Sequence, residues 1–324
     1  MPWPSPRTRI TPIQPWPALL VACTLLVGVP CLRDGSTLHA AAADITELWQ
    51  EPSAVERCDL SAGSWGRENA PDPHAVYTFV KPKQRGTSPG LTVVDPQGRR
   101  WHIKQGREAS PETVVSHVLS AVGYHQPPVY FLPRFKLATG SQVSEIEGGR
   151  FRLALQSLKN QGPWKWEANP LKGTKPYQAL LVILVMFNSA DLKNSNNSIY
   201  EWQPAKGEPR RWYVVRDLGT SLGATGRFDP KPNDPEVFES RPFITGVRNG
   251  FVEFDYHAVN GNLVHQRITP DDVRWASHLV GRLTASQWND AFRSAGYEPT
   301  DAERFIRRIQ QKIREGAALT STTG

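Results

Sequence analysis

At 324 residues with a formal charge of +7, the chain is long enough for one large domain or two small ones, with ample material for a core. Its basic residues are scattered and form no Lys/Arg run, which argues against a nucleic-acid surface, while the surplus suits small anionic ligands such as phosphates.

Residues 1–43 read as an export signal. Arg7 and Arg9 form a positive flank, Ala18 to Val29 a short apolar stretch, and Ala40-Ala41-Ala42-Ala43 a small-residue cleavage region. The apolar stretch is too short for a membrane span of about twenty residues, so the mature form is expected to have no transmembrane helix. Leu20-Val21-Ala22-Cys23 looks like a lipobox, but apolar residues continue past Cys23, which argues against lipidation. The expected location is periplasmic or secreted, with an uncleaved N-terminal anchor as the alternative. Cleavage near residue 43 removes Arg7, Arg9, Arg33 and Asp34, a net loss of two charges that leaves +5. It also leaves Cys58 alone, so stability must come from the core, and no neighbouring base marks Cys58 as a nucleophile.

Residues 44–75 are an N-terminal segment, helix-prone to Glu51 and then rich in Pro, Gly, Ser and Asn. Val76 to Lys81 and Gly90 to Val94 read as strands, and Asp95-Pro96-Gln97-Gly98 turns the chain into a returning strand, Arg99 to Lys104. Ser110-Pro111-Glu112 reads as a helix start, with Ser110 as cap, and Gly123 ends that helix. Val129 to Leu132 and Arg150 to Leu155 are further strands.

Past Gly162, Pro163 and Pro170 the pattern becomes mainly helical. Tyr177 to Phe187 is almost wholly apolar and suits a buried helix. Ile199 to Trp202 and Trp212 to Val215 are short strands. Helices follow from Thr269-Pro270-Asp271-Asp272, from Thr284 with Gln287, and from Thr300 with Glu303, the last two pairs read as capping boxes. The final helix, Asp301 to Glu315, has one apolar face (Phe305, Ile306, Ile309, Ile313), with Arg and Gln outside. The expected organisation is a sheet-rich segment 76–165, a helical segment 166–316 and a disordered tail 317–324.

Chemistry concentrates in Asp191-Leu192-Lys193-Asn194-Ser195-Asn196 and in Asp217-Leu218-Gly219 after the strand Trp212 to Val215. Together they offer a carboxylate, an ammonium, a neutral amide oxygen and a second carboxylate. Phosphoryl transfer needs such groups to orient a hydroxyl, offset charge and ligate Mg²⁺. Each stretch by itself also has the composition of an ordinary turn. Lys104, ending a strand, and Glu112, opening the next helix, can pair; Glu108 competes with Glu112 for that lysine.

With these elements in order, residues from roughly 76 to 315 resemble the protein-kinase-like fold, especially its atypical branches: HipA-type, phosphoinositide-kinase-like and secretory-pathway kinases. The chain is also similar to a group of uncharacterised exported bacterial proteins bearing the same Asp-Leu-Lys and Asp-Leu-Gly pair. The resemblance implies a two-lobed α+β fold, with a small sheet-rich N-lobe over a mainly helical C-lobe. By the same resemblance Asp191 orients the nucleophile and Lys193 supports the transition state. Lys104 and Glu112 hold the nucleotide phosphates, and Asn196 and Asp217 bind Mg²⁺. The implied ligands are Mg²⁺ and ATP or another nucleotide, and the implied partner is a hydroxyl-bearing protein, glycan or small molecule.

The chain departs from that pattern in three ways. No G-x-G-x-x-G loop precedes Lys104, where 83–90 is the only Gly-bearing stretch able to cover phosphates; Ser189-Ala190 replaces His-Arg before Asp191; and no Ala-Pro-Glu follows Asp217. Two other readings follow: a kinase-like scaffold of the cell envelope that binds a partner without catalysis, or a carbohydrate-active protein using exposed rings among Trp164, Trp166, Trp202, Trp212, Trp275 and Trp288. The second requires those rings to line a cleft.

Overall fold

Alternation of inward and outward side chains across five strands rolls residues 76–153 into a closed barrel. The strands are β1 (Val76–Pro82), β2 (Gly90–Val94), β3 (Arg100–Lys104), β4 (Val129–Thr139) and β5 (Gln142–Leu153), in the spatial order β1-β2-β3-β5-β4. All pairings are antiparallel except the closing one, where β1 runs parallel to β4 from Val76↔Lys136 to Thr78↔Ala138. Like other small barrels it is filled by side chains, here chiefly aromatic. Tyr77 meets Phe135 edge-on at 5.6 Å between ring centroids, and Trp101 meets Phe151 at 5.9 Å. This computed structural model describes residues 44–84, 88–226 and 231–320, all within one compact unit. The export-signal reading of 1–43 lies outside the described residues, as do residues 321–324 of the expected tail, whose first residue, Ala317, instead ends the last helix.

β4 and β5 run far beyond the short strands expected. Their outer halves carry Arg134, Lys136, Ser144, Glu145 and Glu147 on exposed positions, with Phe135, Leu137 and Ile146 turned to the barrel core. Gly148 lies within β5: a Cβ there would lie 1.7 Å from the Leu132 carbonyl oxygen, so only glycine permits the two backbones to approach.

Between β3 and β4, helix α1 (Ala109–Ala121) packs on β4 and β5. It begins before the expected point. Glu108 is the cap residue, its carboxylate taken by Lys104, and Ser110 falls inside the first turn instead of capping it. The helix expected over 44–51 is only a 3-10 turn, Ile45–Glu47.

A three-stranded antiparallel sheet holds β6 (Leu158–Gly162), β7 (Asn197–Trp202) and β8 (Arg210–Val215) in sequence order. The sequence did not predict β6, which lies in the segment read as sheet-rich and 76–165 but pairs with β7. Helix α2 (Lys175–Met186) is the centre of the large core, with Leu180 to Met186 at most 2% exposed. At about 1.5–3 kcal/mol for each fully buried aliphatic side chain, that run is a major source of stability. α3 (Pro235–Ser240), the hairpin β9 (Ile244–Arg248) and β10 (Phe251–Phe254), and α4 (Pro270–Gly281), α5 (Ala285–Ser294) and α6 (Pro299–Ala317) complete it. Among the described residues no helix is long and apolar enough to cross a membrane.

The capping box of Thr284 and Gln287 is present, whereas that of Thr300 and Glu303 is not. Pro299 opens α6 two residues before the expected Asp301, leaving Thr300 inside the helix. Phe305, Ile306 and Ile309 form the buried face as expected, but Arg308, expected outside, is buried too, donating to the Arg241 carbonyl.

Lys312, one turn beyond, is fully buried. Its ammonium donates to the Met186 carbonyl and to Asn188 Oδ1, both at 2.9 Å, and lies 4.1 Å from the centre of the Phe238 ring. It therefore caps the carbonyl end of α2. Burial pulls its pKa well below the usual 10.5, and Arg308 pulls the same way against Glu315 and Asp255. An unfolded chain binds the proton up to about 10.5 while the folded site releases it earlier, so this group's penalty is largest at lower pH and fades as pH rises toward 10.5. Urea unfolding of Lys312→Met, followed from about pH 8 to about pH 10, should show a flatter rise of stability with pH than the parent chain.

Candidate active site

Period-two alternation puts Lys104, at the end of β3, on the face opposite neither water nor a single partner: its side chain is 4% exposed and meets three carboxylates. The ammonium lies 2.9 Å from Glu108 Oε2 and 2.8 Å from Glu112 Oε2, and it contacts Asp217 Oδ1. Glu112, 1% exposed, is gripped from its other oxygen by Arg150 Nε at 3.1 Å and by Arg152. Three cations thus balance three carboxylates.

Burial alone pulls the Lys104 ammonium toward its neutral form, but Glu112, Asp217 and Glu108 together raise its pKa above the usual value. Burial likewise pushes Glu112 up, and Arg150, Lys104 and Arg152 outweigh it, holding the carboxyl far down. Arg150, desolvated and beside Arg152, falls to about 10. Both sites therefore stay charged at neutral pH.

Arg150 and Arg152 were missed by sequence reasoning. The signal was available: with Phe151 between them in a predicted strand, two residues apart means the same face. Their pairing partners are Lys104 and His102.

Asp217 follows β8 with φ 57°, a left-handed conformation that aspartate tolerates better than most residues. Its side chain is 47% exposed, so one oxygen serves Lys104 while the group remains open to solvent. Leu218 is buried in the large core. Gly219 passes under the start of α1: a Cβ there would lie 2.6 Å from Glu108 Cβ and 2.7 Å from the Glu108 carbonyl oxygen.

Asp191 leaves the end of α2. Lys193 Nζ stands 3.0 Å from its Oδ1, and Asn196 Nδ2 donates to its carbonyl oxygen at 2.8 Å. This loop is stitched to the Asp217 loop along the backbone. Ala190 N–H donates to Thr220 O at 2.9 Å, Leu222 N–H to Phe187 O at 2.8 Å, and Arg216 N–H to Asn196 O at 2.9 Å. Tyr256 O–H donates to the Ser189 carbonyl, and Asn260 Nδ2 to Leu192 O at 2.8 Å, bracing the loop from the other side.

Of the residues singled out in the sequence, Lys104, Glu112 and Asp217 come into direct contact. Asp191, Lys193 and Asn196 form a second group, joined to the first through the backbone of residues 187–222 and by no side-chain bond among the described residues. Glu108, read as a competitor of Glu112, shares Lys104 with it.

Among the described residues no set of three or more His, Cys, Asp or Glu side chains could hold a metal ion. The hard oxygens of Asp217 and Asn196 nevertheless suit Mg²⁺, which takes one or two protein ligands and completes its shell with water and phosphate. The Asn196 amide is oriented by its N–H bond to Asp191, which leaves its oxygen without a protein donor among the described residues.

At the base of the 83–90 stretch, Lys83 is pulled below its usual pKa by partial burial and by Lys104, against Asp217. Residues 85–87 lie outside the described residues. Cys58 is half-buried, its thiol pKa raised by burial, as an inert residue requires. His257 and His265 line one cavity of about 400 Å³ with Asn260 and Asn262, beside the Asp191 loop. Trp164, Trp166 and Trp288 are core residues, whereas Trp202 and Trp212 line a separate cavity.

No protein-family model matches the chain, and no curated protein matches it. Among solved structures it is similar to a Helicobacter pylori proinflammatory kinase, CtkA, over 76% of this chain and 97% of that one, with a TM-score of 0.46 and 8% identity. A likeness that distant assigns no activity.

Replacing Gly219 by Ala forces a methyl group against the Glu108 backbone and should lower stability by about 1–3 kcal/mol. Gly246→Ala, where the added atom meets nothing closer than 3.9 Å, should stay within about 0.5 kcal/mol of the parent chain; thermal melts of both variants check the contrast.

Proposed function

We propose that the chain is a kinase-like phosphotransferase that uses a magnesium-bound nucleoside triphosphate, ATP or another, to modify a hydroxyl group. The observation that carries this reading is the junction at Lys104, where a strand lysine meets a helix glutamate and the aspartate of a separate loop. A lysine so placed holds a fixed positive charge at neutral pH beside an exposed carboxylate, which is the pairing a phosphate chain and its cation require.

On this reading the nucleotide lies between the barrel and the helices, its non-transferred phosphates on Lys104, with Glu112 keeping that lysine in place. Lys83 adds positive charge at the same end. Asp217 and Asn196 hold Mg²⁺, which when bound offsets the charge of the phosphate oxygens. Asp191 accepts the proton of the acceptor hydroxyl as its oxygen bonds to the terminal phosphorus and the bond to the bridging oxygen breaks. Lys193 stands beside Asp191 and balances the charge on the phosphoryl group in transit. The polar cavity beside residues 256–265 adjoins the Asp191 loop and offers space for the acceptor. Export of the mature chain, from the reading of residues 1–43, belongs to the same proposal and requires that nucleotide be supplied where the protein resides.

Calorimetric titration with MgATP tests it. The parent chain should bind saturably and Asp217→Ala should not; equal heats from both, or none from either, overturn the reading. Once an acceptor is found, Asp191→Ala should keep nucleotide binding while losing roughly 10²-fold or more in turnover.

A further inference from the structure

Away from Lys104, the far end of α1 opens on a second cavity, of about 470 Å³, within the range of small-molecule sites. Ser120, Ala121 and Gly123 belong to its wall, so it lies some nine residues, about 13 Å, along the helix from Glu112. It is lined without a single Lys or Arg, in a chain that has thirty-eight of them. An anion would find no counter-charge there, so this is not another phosphate site.

What the wall does contain is a column of aromatic rings. His125 stacks on Trp212 at 4.4 Å and 4°, Trp202 stacks on Trp212 at 4.6 Å and 27°, and Trp65 stands edge-on to Trp212 at 6.3 Å. Trp65, Trp202 and His125 are only half-buried, so the column is part of the core on one side and open on the other. The indole N–H groups of Trp49, Trp65, Trp101 and Trp164 all donate to protein acceptors. Those of Trp202 and Trp212 have none among the described residues, and neither is a sealed buried atom. Gln50, Glu51 and Ser53, with exposed side chains, add amide, carboxylate and hydroxyl groups at the rim.

We infer that this cavity binds a neutral carbohydrate, one pyranose ring lying its C–H face on the aromatic column. Indole rings give such a ring apolar contact over a broad flat face, and their N–H groups and the rim supply directional partners. A neutral ring of this kind needs no cation, which agrees with the lining. Glu51 would accept from two hydroxyls. The inference is independent of the phosphotransferase reading, since the site shares no residue with it.

The experiment is a titration of the full chain with maltose, cellobiose and N,N′-diacetylchitobiose, followed by tryptophan fluorescence and calorimetry, with tetramethylammonium as a cationic comparison. At least one disaccharide should bind saturably, with at least tenfold loss in Trp202→Ala. Because Trp202 also supports the core, the double variant Gln50→Ala/Glu51→Ala on the exposed rim provides the second reading and should weaken binding at least threefold with an unchanged melting temperature. MgATP should leave the sugar titration unaltered. The proposal fails if no disaccharide binds saturably at millimolar concentration. It fails equally if sugar binding is indifferent to both variants, or if only tetramethylammonium binds and Glu51→Gln abolishes that, which would make the cavity a cation site.

Discussion

One buried ammonium holds the candidate site together. Lys104 is reached by residues from three separate pieces of the chain: the turn before α1, the helix itself, and the loop after β8. The first two are neighbours in the chain, but the third has no local reason to join them, since Lys104 and Asp217 are 113 residues apart. Taking such charges out of water costs several kcal/mol per ion, and mutual attraction repays that only when every partner is present. Three cations against three carboxylates balance the charge, while Glu112 Oε2, Arg150 Nε and Arg152 Nε make no well-formed hydrogen bond among the described residues. Removing Glu112 would leave Lys104, Arg150 and Arg152 short of their common partner, and breaking a buried set of this kind typically costs about 3–5 kcal/mol.

The network also explains why α1 sits where it does. Its apolar residues give it a face for β4 and β5, but packing alone tolerates a shift along the axis. Glu108 and Glu112, one turn apart, both reach the same ammonium, and this fixes the helix in register against β3. Gly219 then lets the Asp217 loop close over the helix start without a side chain in the way. Position of the helix, position of the loop and charge of the lysine are therefore one constraint and not three.

Much of this was legible in the sequence because the signals are local. The first three barrel strands, the apolar α2 and the box at Thr284 each depend on a few neighbouring residues. So does the pairing of a strand lysine with an early helix acid. What failed was set by distant partners. The outer halves of β4 and β5 keep a thin apolar face (Phe135, Leu137, Ile146) among many exposed polar residues, and their length is set by pairing with each other. Ser110 lost its capping role because Glu108 was recruited by Lys104, and Arg308 went inside because the Arg241 carbonyl needed a donor. Arg150 and Arg152 were readable by alternation alone, yet their purpose required knowing that Glu112 lay beneath them. The Asp191 and Asp217 loops are joined mainly by backbone atoms, to which side-chain patterns are blind, with bonds of Ser189 to Ser221 and of Asn188 to Gly223 beside them.

The contact of Lys312 with Met186 and Asn188 bears on the order in which the fold can close. Asn188 in turn donates to the Gly223 carbonyl at 2.8 Å, so the last helix, α6, closes a chain of bonds that ties together both loops of the site. Because α6 follows both loops in the chain, the carbonyl end of α2 gains its Lys312 donor only once this helix has docked on segments already joined to each other.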